Sequence, residues 1–199
     1  MTRRIRSGIS LPESTCRPAL IDSGGLEDVV ASYIRDFRPR ADRELDFFRN
    51  CTNPRRAVKY AGLSMLPSGK RHPHQYRIPL SILREVERDL QAVSASLRSC
   101  ATFDELFRLV QSEIGGICGV GELTIYDVTT RLGAYLGLEP ERVYLHAGTK
   151  EGARYLGINT RRESFEPSEL PCAFRKLRPR EIEDCLCIYK RQLAKRARA

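Results

Sequence analysis

No run in the 199 residues approaches the roughly 20 consecutive apolar residues that a membrane-crossing helix needs. The opening MTRRIRSGISLPEST has arginines but no apolar core behind them, so the pattern of a secretory leader is missing and cytoplasmic residence is the expectation. No C-x-x-C pair occurs either. The 7 cysteines, Cys16, Cys51, Cys100, Cys118, Cys172, Cys185 and Cys187, form an odd, scattered set, which argues against a disulfide framework and against a zinc ribbon. Most of them are expected to serve as small apolar core residues. Cys185 and Cys187 stand two apart on a predicted helix and face different ways, a poor chelating pair. His72 and His74 have no local third ligand, so neither metal nor cofactor is expected. Strand-like alternation does not extend beyond VYL at 143 to 145, and repeats and low-complexity tracts are lacking. An all-α class remains.

What the chain has is positive charge. Lys plus Arg number 34 against 25 Asp plus Glu, a formal net charge of +9 with pI near 9.4, which favours polyanionic partners, nucleic acid before an anionic membrane. With 41% hydrophobic and 30% charged residues, one packed domain is expected and two independent cores are not. The predicted organisation is a basic arm over 1 to 24, a multi-helix domain over 25 to 194 and a basic tail over 195 to 199. Arg3, Arg4 and Arg6 at one end, and Lys190, Arg191, Lys195, Arg196 and Arg198 at the other, can track phosphates.

Apolar residues recur at helical spacing along the domain. Val29, Val30, Tyr33, Ile34 and Phe37 mark a first helix ended by Pro39, Leu45, Phe47 and Phe48 a second, and Arg55 to Leu63 a third. LPSGKRHPHQYRIP then reads as a loop. Ser81 is placed to cap one long helix carrying Ile82, Val86, Leu90, Val93 and Leu97. Thr102 and Glu105 form a capping-box pattern ahead of Phe103, Leu106, Phe107, Val110 and Ile114, with Gly115 and Gly116 as the stop. The pattern resumes after Gly121 with Ile125, Val128, Leu132 and Leu136 until Gly137. A short helix near Lys150 to Leu156 and a closing one behind Pro179, with Ile182, Cys185, Leu186, Tyr189 and Leu193, complete the series.

The turn between the two central helices, Gly119-Val120-Gly121, raises the functional question. A helix that starts there leaves its first amides unpaired beside glycines that expose the backbone, an arrangement suited to an anion. The run Ile114, Ile117, Gly119, Val120, Gly121 and Val128 resembles the helix-hairpin-helix motif, over about residues 103 to 137. The resemblance implies that the amides around Gly119, Val120, Gly121, Leu123 and Thr124 hold the backbone of DNA without reading its sequence. Ile125 stands where that pattern usually has a small residue, and Glu122 puts a carboxylate in the first turn.

A wider likeness is to the helix-hairpin-helix base-excision DNA glycosylases, all-α proteins of similar length. Bifunctional members have a nucleophilic lysine before the threonine that follows the hairpin, where this chain has Leu123. Their catalytic aspartate falls in a segment corresponding to EPERVYLHAG, in which Glu141 is the candidate carboxylate. The four-cysteine iron–sulfur signature of some members is absent.

Two further segments carry candidates. GKRHPHQYR gathers Lys70, Arg71, His72, His74 and Gln75 for phosphates or base edges. VYLHAGTKEGARYLG places His146 as an acid or base and Lys150 as a possible Schiff-base amine. Asp127 and Arg131 read as an i,i+4 ion pair. Three functions follow: a DNA-binding protein with backbone contacts to duplex, a DNA repair glycosylase or lyase using Glu141, His146 or Lys150, or a helical protein-interaction subunit.

Overall fold

In the computed structural model, which describes residues 23 to 196, ten helices account for most of the chain. They are α1 (Ser23–Asp36), α2 (Arg38–Arg49), α3 (Pro54–Gly62), α4 (Leu80–Ala92), α5 (Ser94–Ser99), α6 (Phe103–Ile114), α7 (Glu122–Leu136), α8 (Ala147–Tyr155), α9 (Pro179–Ile188) and α10 (Lys190–Arg196). Two short strands, β1 (Val143–Tyr144) and β2 (Ser164–Phe165), pair antiparallel with Val143 opposite Phe165. The class is all-α. Among the described residues no helix is long and apolar enough to cross a membrane. Arg3, Arg4, Arg6, Cys16 and Arg198 lie outside the described residues.

The apolar stripes collect into two clusters. One joins α2 through α7 around Phe48, Val86, Leu90, Leu106, Val110 and Val128. The other joins α1 to the C-terminal elements around Tyr33, Val143, Phe165, Phe174, Ile182 and Leu186. Among the described residues, α1 thus packs on the last elements, and the path crosses to the central helices at α2 and returns through β1. Close approach of α8 and α9 depends on Gly152, where a Cβ would stand 2.2 Å from the Leu186 carbonyl oxygen.

Several boundaries differ from the sequence reading, each for a local reason. Helix α1 begins at Ser23, inside the stretch assigned to the arm, and ends at Asp36; Pro39 sits in the first turn of α2, where its missing N–H costs nothing. Ser81 lies inside α4, whose N-cap is Pro79. The long helix breaks at Val93, so Leu97 belongs to α5, and the closing helix breaks at Tyr189. Thr102 caps α6 by accepting the Glu105 N–H at 3.2 Å, while the Glu105 carboxylate takes the N–H of Ala101. Gly137, at φ +75°, closes α7 in the left-handed conformation. The cysteines are less uniform than expected: Cys185 is buried and Cys118 exposed among five free thiols, and Cys172 is disulfide-bonded.

Candidate nucleic-acid interface and adjoining cleft

The α6–α7 turn is tied by short-range hydrogen bonds. Gly115 N–H donates to Gln111 O at 2.9 Å, Ile117 N–H to Ile114 O at 3.2 Å and Val120 N–H to Ile117 O at 3.0 Å. Gly119 takes φ +94°, and Gly121 is the N-cap of α7 in extended backbone, φ −111° and ψ 173°, with no side chain to cap the helix. The first amides of α7 therefore lack the acceptor that a Ser or Asp would supply. Buried Ile114 and Val128 anchor the turn, and Ile117 and Val120 pack on the same cluster. A Cβ at Gly121 would meet nothing within 4 Å, while one at Gly119 would stand 2.8 Å from Ile82 Cδ1. The backbone at Gly121 is open from outside. Glu122, next in line, accepts Lys150 Nζ at 2.7 and 2.8 Å through its two oxygens.

The basic loop divides its residues between solvent and interior. Lys70 is exposed. Arg71 donates to the Ile78 carbonyl at 2.8 Å and lies over the Tyr76 ring, 4.9 Å from its centroid. His72 turns inward to Glu44, Nε2 to Oε2 2.9 Å, and Gln75 is buried with its amide donating to Asp127. Gln75 thus braces the loop against α7, with its side chain turned away from solvent. Thr124 is likewise buried, leaving only its backbone for an external ligand.

Between the two apolar clusters runs a polar seam with a cleft of about 320 Å³. Phe37, Ala41, Leu45, Pro73 and Leu123 supply apolar wall; Glu44, Asp127, Arg131, His146, Arg180, Glu183 and Asp184 supply charge. Most of that charge is paired. Arg131, 3% exposed, faces Glu44 at 3.4 Å and Asp127 at 3.8 Å, so the predicted i,i+4 pair forms but inside the seam. Arg180 bonds Asp42 at 2.9 Å and approaches Asp184 at 3.9 Å, and Asp184 accepts the Tyr33 hydroxyl at 2.9 Å. His146 Nε2 meets Glu183 Oε1 directly, and the buried Thr149 hydroxyl reaches both, at 2.9 and 2.7 Å. Two buried hydroxyls, those of Tyr126 and Thr130, border the cleft and face each other.

This wiring shifts the proton affinities of the seam. Burial alone would lower the His146 pKa, but the Glu183 hydrogen bond and charge outweigh it and raise it. Burial, followed by the adjacent Glu183 charge, raises Asp184 far above the ordinary carboxylate range. Burial would raise Glu44 as well, yet His72 and Arg131 overcome it and hold its pKa below the usual value. One seam therefore presents a carboxyl group, Asp184, biased to keep its proton and another, Glu44, biased to lose its own, the separation that acid–base chemistry uses. Along the lining the carboxyl groups Glu44, Asp127, Glu183 and Asp184 outnumber the arginines Arg40, Arg131 and Arg180, which disfavours a phosphate there.

Of the sequence-predicted residues, His72, Leu123 and His146 line this cleft. Lys150 instead borders a second, smaller cleft of about 210 Å³ with Phe107, Tyr144, Arg161 and Glu122, and His146 borders both. Glu141 is exposed and lines neither. Sequence reading missed Glu44, Arg180, Glu183 and Asp184. For the last three the available signal was REIEDCLC, where charged residues interrupt the apolar stripe of the closing helix. Among the described residues no group of three or more His, Cys, Asp or Glu is placed to hold a metal ion. No protein-family model, no curated protein and no solved structure matches the chain.

Proposed function

We propose that the chain binds duplex DNA through its phosphate backbone at the α6–α7 turn, in a cytoplasmic setting and with little sequence preference. The observation that carries this reading is the open backbone at Gly121, where the uncapped first amides of α7 are accessible from outside. The net charge of +9 supplies long-range attraction to the same ligand. The test is fluorescence anisotropy of a labelled duplex across a salt series. Each neutralised phosphate contributes about 0.9 to the log–log slope, so three to five contacts give a slope of roughly −2.7 to −4.5. Binding that is absent at low salt, or indifferent to salt, rejects the reading.

A second reading, an enzyme acting on a base taken out of the duplex, is favoured by one specific observation. Leu123 behind the glycine turn, His72 of the basic loop and His146 all border a single cleft that also holds Glu183 and Asp184. In hydrolysis of a glycosidic bond, a protonated carboxyl such as that of Asp184 gives its proton to the leaving base. A carboxylate such as that of Glu183 takes a proton from the water that adds to the sugar carbon as the carbon–nitrogen bond to the base breaks. Release of free base from duplexes with modified bases, lost in Asp184→Asn, supports this reading; no release from a broad panel rejects it. Lys150 is a poor imine former here, because its amine must first leave Glu122.

A further inference from the structure

Tyr76 is the most exposed of the large hydrophobic side chains among the described residues, at 67%. It is not loose. The guanidinium of Arg71 covers the ring at 4.9 Å, and that guanidinium is itself held by the Ile78 carbonyl at 2.8 Å. The preceding residue, Gln75, is buried and bonded to Asp127 on the cleft wall, while His72 and Pro73 form part of the cleft lining. A few residues on, Ile82 lies against Gly119 of the glycine turn. The ring therefore stands on a braced loop whose earlier residues line the cleft and which leads into α4, the helix that touches the turn, with exposed Lys70 and Arg77 near it in the chain.

We propose that Tyr76 is a stacking platform for an unpaired base, so that the protein favours DNA carrying an unpaired or unstacked nucleotide over intact duplex. The inference rests on the DNA-binding reading above and names the DNA form that reading leaves open. A braced aromatic ring gives a flat apolar surface at small ordering cost, and every base has a face to stack on it. The neighbouring cations match the phosphates on either side of such a base. In an intact duplex each base is already stacked, so the ring gains nothing there.

The experiment measures affinity of the full chain for three labelled probes: an intact duplex, the same duplex with one extra unpaired adenine, and the single strand. Wild type is expected to bind the bulged duplex about tenfold tighter than the intact one. Tyr76→Ala is expected to abolish that preference while leaving intact-duplex affinity within about twofold, and Tyr76→Phe to retain it. Because the chain has 0 tryptophan, Tyr76→Trp introduces a single reporter whose emission should be quenched by bulged but not by intact duplex. Equal binding of both duplexes by wild type, or a preference that survives Tyr76→Ala, overturns the inference and leaves the backbone reading intact. Absence of binding to any of the three probes overturns both.

Discussion

Replacing Gly121 with valine separates a glycine needed for folding from one needed for a ligand. The backbone there is extended, φ −111° and ψ 173°, a conformation any residue adopts, and a side chain would meet nothing within 4 Å. Valine is a poorer N-cap than glycine by about 1 kcal/mol, but it also removes about 0.4 to 1 kcal/mol of unfolded-chain freedom. The net change in stability should stay within about 1 kcal/mol, or roughly 2 to 4 °C in Tm for a chain of this size. Affinity should change far more. A charge-assisted hydrogen bond from a backbone amide to phosphate contributes about 1.5 to 3 kcal/mol, so blocking one such bond weakens binding by roughly 10- to 100-fold. Thermal denaturation followed by circular dichroism and duplex anisotropy at low salt measure the two quantities. Gly119→Ala is the contrasting control: at φ +94° it carries about 1 to 2 kcal/mol of strain and presses on Ile82, so it loses stability whatever it does to DNA. A Gly121→Val protein that melts like wild type and binds DNA with unchanged affinity would refute the assignment and leave the hairpin as a turn only.

Glu122→Gln should strengthen duplex binding about threefold at low salt. It removes a carboxylate that, some 6 to 8 Å from a phosphate in water, costs roughly 0.6 kcal/mol, and it releases Lys150 from its present ion pair. The gain should fade as salt rises, and unchanged affinity at low salt would exclude this rim from the interface. The seam also makes stability depend on pH with a definite sign. His146 and Asp184 both have folded pKa values raised above the unfolded ones, so their contributions are complete below the unfolded values, near 6.5 and 3.8, and decline as pH rises through the folded ones. Glu44 and Glu181, whose values are lowered, act oppositely but only below about pH 5. Tm should therefore fall between about pH 5 and 8, and Glu183→Gln should flatten the fall, since the Glu183 charge raises both groups. Parallel melting profiles for the variant and wild type would contradict this wiring.

The sequence by itself determined the elements and the turn, because both depend on neighbours a few residues apart. Helical spacing located Val86, Leu106, Val110, Val128 and Leu132, and each is buried. The glycines of the 119 to 121 turn and the stop at Gly137 are also local chemistry, as is the ion pair of Asp127 with Arg131 one helical turn away. Breaks at Val93 and Tyr189 escaped notice because the apolar stripe continues across each of them.

Only the tertiary structure decided which polar residues share the seam. His72 meets Glu44 across 28 positions, His146 meets Glu183 across 37, Gln75 meets Asp127 across 52, and Tyr33 meets Asp184 across 151. No periodicity links such residues, since each pair is brought together by the packing of sequence-distant elements around one apolar cluster or the other. Packing against α2 and α7 turned His72 and Gln75 inward from a loop that composition marks as solvent-facing, and the approach of α8 to α7 set Lys150 against Glu122 rather than in the larger cleft. Charge and glycine pattern are readable from sequence because they are properties of residues and short segments. A site is a property of surfaces, and it exists only once distant segments pack.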